Sequence, residues 1–160
     1  AVKVTVSGVL QIDILERTPA FIWRKDDVIS VIDKKGKFIR RASSRLDYPE
    51  LPLVIGEAAN LSIADISSLM EDNQIFLDQV RAFVRVGERR WDLVLDNNLR
   101  IMLPQTEFLS AFDRLMLMSQ SGALFSDQLS IIDMRLVERP TVRVGALPVD
   151  RPTYYSSGDL

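Results

Sequence analysis

The sequence predicts an α+β fold in which a mainly antiparallel or mixed sheet carries two helices. Three observations carry this. Short runs with an apolar residue at every second position recur from Val2 to Val144. Two stretches, opening near Ser62 and Thr106, change instead to apolar spacings of three and four. These stretches interrupt a series of strands rather than following each one, which excludes a regular βαβ nucleotide-binding array.

In chain order, Val2, Val4 and Val6 alternate with Lys3, Thr5 and Ser7, as in a half-buried strand. Ser7-Gly8 turns it into a second alternating run, Val9 to Leu15, which Pro19 ends because proline cannot donate to a central ladder. Two strands without a helix cannot close a domain, so residues 1–19 read as the end of a domain that starts upstream. Residues 20–145 form the main unit. Phe21–Arg24 and Val28–Asp33 are short strands, and Lys34-Lys35-Gly36 turns the chain into Lys37–Arg40. Arg41 to Pro52 is polar and reads as a loop, followed by a brief strand, Leu53–Ile55.

Ser62 followed three residues later by Asp65 predicts a capping box opening a helix to about Glu71, with Ile63, Ile66, Leu69 and Met70 as its apolar stripe. Ile75–Val86, Trp91–Leu95 and Leu99–Leu103 read as strands joined by Gly87-Glu88 and Asp96-Asn97-Asn98. The second helix covers about Thr106 to Ser119, with Gly122 just past its end. Leu129–Val137 and Thr141–Val144 are the last strands. Residues 146–160, rich in Pro, Gly and Ser, read as a tail.

Composition narrows the chemistry. The 160 residues are 47% apolar and 26% charged, the balance of a chain that buries a core. A net charge of −2 lacks the basic excess of a general nucleic-acid binder. Absence of cysteine removes thiolate chemistry and disulfides, and absence of histidine removes the commonest general base and metal ligand. No cofactor or metal is expected. Asp92 and Asp96 share a strand face, which would suit a divalent-metal pair but reads better as a solvated face. Ser119-Gln120-Ser121-Gly122 lacks the leading glycine and the histidine base of a nucleophile turn.

What remains is binding. Arg85, Glu88, Arg89 and Arg90 cluster at a turn beside Trp91, a residue mix enriched in binding hot spots, although a solvated turn over a core tryptophan has the same composition. Leu136-Val137-Glu138-Arg139-Pro140-Thr141-Val142-Arg143-Val144 is the last strand region. A late strand often lies at a sheet edge, where a partner strand can add, and Pro140 is compatible with an edge.

An ordered set of segments is similar to the FtsQ/DivIB family of bacterial cell-division proteins, most like those of alphaproteobacteria. The segments are Gly8–Ile14 with Glu16–Pro19, Leu51–Gly56, Val84–Leu93, and Asp133–Leu136 with Arg139–Arg143. The resemblance implies a POTRA domain ending in residues 1–19 and a β domain over 20–145. It also implies a single membrane helix upstream, a periplasmic location, and no enzymatic activity. The function it implies is that of a division scaffold that binds FtsB and FtsL by strand addition and helps recruit and regulate septal wall synthesis. Carried onto this chain, the partner-binding positions are Arg89 or Arg90, and Leu136, Val137, Glu138, Arg139, Thr141, Val142, Arg143 and Val144. A POTRA-associated chaperone or translocation module is the alternative, because such strands also bind clients by augmentation.

Overall fold

The computed structural model describes residues 2–4, 10–12, 16–120 and 129–145. Val2–Val4 (β1) and Leu10–Ile12 (β2) pair antiparallel as a separate two-stranded sheet. The Ser7-Gly8 turn, Gly122 and the tail lie outside the described residues.

The main sheet has nine strands: Phe21–Lys25 (β3), Val28–Ile32 (β4), Phe38–Arg41 (β5), Leu53–Ile55 (β6), Val80–Val86 (β7), Arg90–Leu95 (β8), Arg100–Met102 (β9), Leu129–Asp133 (β10) and Thr141–Val144 (β11). Their spatial order is β11-β10-β9-β8-β7-β6-β3-β4-β5. The sheet is mixed. Hairpin neighbours pair antiparallel, while β6 joins β3 and β7 in parallel and β10 joins β9 in parallel. Each parallel step needs a crossover. The chain supplies these with the loop after β5, with the helices Ile63–Asp72 (α1) and Gln74–Leu77 (α2), and with the helix Phe108–Gln120 (α3).

The helices cover one face. There Ile63, Ile66, Leu69, Phe112 and Leu115 meet Val54, Phe83, Trp91, Leu93, Ile101 and Ile132, all buried, and Phe76 packs edge-on against Phe112 at 5.9 Å between centroids. The opposite face is apolar only on its β3–β8 part, where Ile22, Val31, Leu53, Ile55, Ala82, Val84 and Val94 sit under Ala42, Tyr48 and Leu51.

Several expectations change. Ile75–Val86 is not one strand: Ile75, Phe76 and Leu77 complete α2, and β7 starts at Val80. Ser62 makes no side-chain cap; α1 instead continues from a short 3-10 turn over Ala59–Ser62. A capping box does form, at Ser44 and Asp47, inside the stretch read as a plain loop. The strand expected to reach Val137 stops at Asp133. Met134 is buried against the helix side, and residues 134–140 turn to deliver the chain into β11.

Candidate partner-binding edge

β8 and β9 shape the polar part of the sheet. Gly87 and Glu88 both take positive φ (57° each) in a turn that the Arg89 N–H closes onto the Val86 carbonyl at 3.3 Å, and the β7–β8 register beyond it pairs Arg85 with Trp91 and Val86 with Arg90. Alternation then sends Trp91 to the helices and Arg90 and Asp92 to the opposite face. Trp91 is 1% exposed, its indole N–H reaches Asp65 Oδ2 at 3.4 Å, and the Arg85 guanidinium lies 5.0 Å over its ring. Burial lowers the Arg85 pKa, against the opposing pull of Asp65 and Glu88.

Asp92 is fully buried, which overturns its reading as a solvated face. Arg90 Nε donates to Asp92 Oδ1 at 3.1 Å, and Arg100 Nε donates to Oδ2 at 2.8 Å. Two guanidiniums saturate this carboxylate, so it forms no metal pair with Asp96, which is exposed in the following turn. Two strands along, Arg135 grips Asp133 through both Nε and Nη2 (2.9 and 2.6 Å). That guanidinium is the main reason the Asp133 pKa lies below the ordinary carboxylate value.

Arg90, Arg100, Asp133 and Arg135 line a groove of about 740 Å³ together with Met102, Ile131 and all four residues of β11. β11 is the end strand of the sheet. It pairs with β10 and, among the described residues, with no strand on its other side. Its register sets Thr141 opposite Asp133 and Arg143 opposite Ile131, so both belong to the groove face. Val142 and Val144 oppose Ile132 and Leu129 on the helix face, 54% and 64% exposed. Ser130 Oγ donates to the Arg143 carbonyl at 3.3 Å, which points that carbonyl toward β10. Strand alternation therefore turns the N–H and C=O of Val142 and Val144 to the open side.

The family model described as Cell division protein FtsQ/DivIB, C-terminal, matches residues 21–135. The chain belongs to the FtsQ/DivIB family. "Cell division protein FtsQ" of Dinoroseobacter shibae is 36% identical over 148 residues, covering 92% of this chain and 50% of that protein. The protein of the same description from Jannaschia sp. is 37% identical over 142 residues, covering 89% and 46%. That of Rickettsia conorii is 30% identical over 124 residues, covering 78% and 46%. The chain thus spans about half the length of these relatives.

Against the positions that the FtsQ/DivIB resemblance implied, the structure brings Arg90, Thr141, Val142, Arg143 and Val144 to one groove. Arg89 is not among them: it is exposed in the turn between β7 and β8. Leu136, Val137, Glu138 and Arg139 are not strand residues. They form the turn before β11, where Leu136 is 69% exposed, Val137 packs toward the helix-side core and Glu138 lies 4.0 Å from Arg114. Pro140 precedes β11, so it takes no donor from that strand. Arg100, Asp133 and Arg135 are groove residues that reading the sequence missed. One signal was present: with the hairpin register set by Asp96-Asn97-Asn98, Asp92 and Arg100 become diagonal neighbours across β8 and β9.

Proposed function

We propose that this chain is the periplasmic part of a single-pass inner-membrane division scaffold without enzymatic activity. It binds FtsB and FtsL by β-strand addition and helps recruit and regulate septal wall synthesis. On this reading residues 1–19 close a POTRA domain, residues 20–145 are the β domain and residues 146–160 are a tail. None of the described helices is long and apolar enough to cross a membrane.

One observation supports strand addition above the rest: β11 is fully exposed, ends the sheet, and offers the backbone of Val142 and Val144 to the open side. An added strand would complete a ladder along Thr141–Val144, and its side chains would alternate between the apolar Val142–Val144 face and the Arg90–Arg143 groove.

Titration of the chain with FtsB and FtsL peptides by calorimetry tests this. Val142→Glu with Val144→Glu leaves the fold intact, because both side chains are exposed, and weakens FtsB binding at least about tenfold. Unchanged affinity in the folded double variant would sink the edge reading. Binding to unfolded β-rich outer-membrane peptides, with none to the division peptides, would point to the chaperone alternative.

A further inference from the structure

The other end strand, β5, has a different chemistry. Lys34, Lys35, Lys37, Phe38, Arg40 and Arg41 follow one another almost without interruption, and all six are exposed. Among the described residues, none of these five cations makes an ion pair with an acid. Asp33, the nearest carboxylate in sequence, is taken by Arg17 at 2.6 Å and by the backbone N–H groups of Lys35 and Lys37, each at 2.9 Å. The turn that carries the lysines is held in place. Ser67 Oγ donates to the Lys34 carbonyl at 3.0 Å and Asn60 Nδ2 to the Gly36 carbonyl at 3.2 Å.

In the midst of the cations stands Phe38, 56% exposed. Its partner across the ladder is Ile32, while Arg40 opposes Val31, so Ile39 is an extra residue that bulges the strand. A short, bulged, cation-flanked edge is poorly suited to accepting a further strand. The same features suit an anionic layer with an apolar interior beneath it: cations on both sides of the strand meet the headgroups and the aromatic ring enters below them. A soluble polyanion would find the charges but has no use for the exposed ring.

We propose that the Lys34–Arg41 edge is a contact site for an anionic phospholipid surface, at the end of the sheet opposite β11. Because the net charge of the whole chain is −2, the attraction is local to this edge and falls steeply with added salt.

Co-sedimentation of the 160-residue chain with vesicles tests this. The chain is expected to sediment with phosphatidylglycerol–phosphatidylcholine vesicles at low salt and to stay in solution with phosphatidylcholine alone. Each cation replaced by glutamine (Lys34, Lys35, Lys37, Arg40 or Arg41) lowers partitioning about fivefold. Phe38→Ser lowers it several-fold while leaving binding to soluble polyglutamate unchanged. Arg139→Gln, in the exposed turn before β11 at the far end of the sheet, changes nothing. Absence of sedimentation with the anionic vesicles overturns the proposal, as does equal sedimentation with the neutral ones. Loss of polyglutamate and vesicle binding in parallel on Phe38→Ser would reassign the edge to an acidic peptide.

Discussion

Asp92 illustrates how one side chain organises the candidate edge. Its charge is fully buried and both oxygens are occupied by guanidiniums that are only 18% and 30% exposed. Removing the charge leaves two half-buried cations facing each other, a change that typically costs about 3–5 kcal/mol. Asp92→Asn is expected to lose about 3 kcal/mol in urea unfolding and to weaken partner binding further by releasing Arg90 from the groove. Asp33 makes a different prediction. Burial pushes its pKa up, but the backbone N–H of Lys37, the Arg17 guanidinium and the N–H of Lys35 together hold it below the ordinary value. A carboxylate with a lowered folded pKa stabilises fully above its unfolded pKa of about 3.9, and that stability is lost as pH falls through the lower folded value. Stability is therefore expected to drop below about pH 4, and Asp33→Asn should flatten that part of the pH profile measured by thermal unfolding. Neither residue could be weighed from sequence alone. Asp92 occupies the polar phase of an alternating strand, and only the lateral approach of Arg90 and Arg100 removes it from water.

At the scale of elements, the hairpin turns and the edge strand carry the sharpest expectations. Gly36 has φ +74°, and a Cβ there would stand 1.8 Å from the Asn60 carbonyl oxygen. Gly36→Ala should cost at least about 2 kcal/mol, from left-handed strain and from pushing the turn off α1's leading segment, as read by chemical denaturation. On β11, Val142→Pro removes an outward donor and Thr141→Pro an inward one. The first should abolish partner binding with a loss of less than about 1 kcal/mol in stability, since edge positions tolerate proline. The second should loosen β10–β11 pairing as well. The alternating strands were legible because period two survives wherever one face is wet and the other packed. The failures have equally local causes. Ile75-Phe76-Leu77 is a three-residue apolar run that fits either a strand or the last turn of a helix, and the polar Asn73-Gln74 before it gave no helical signal. Met134 and Val137 prolong the apolar rhythm of β10, but they pack from a turn onto the helix-side core.

At the scale of the molecule, the sheet ends in two unlike edges. One is exposed and apolar on its helix side, with a groove beside it; the other is bulged and cationic. Hydrogen exchange on adding a saturating FtsB peptide is expected to protect the amides of Val142 and Val144 and leave those of residues 38–41 unchanged. The presence of an edge near the C-terminal strand was readable from Thr141–Val144 and its flanking proline. Its identity as the sheet's end was not, because the parallel step from β9 to β10 depends on α3 crossing over the sheet, and strand order across a crossover leaves no trace in local sequence.

That parallel step has a temporal consequence. During synthesis, a chain that has emerged only as far as β9 already holds a seven-stranded run from β5 to β9, but its exposed flank is then β9 itself, with Arg100 and Met102 at the rim. α3 must fold and cross before β10 can dock, and β11 can dock only on β10. The open backbone of Val142 and Val144 therefore comes into being only after β10 has docked. Partner capture at this strand would act as a completeness check, admitting only copies whose sheet has been fully laid down.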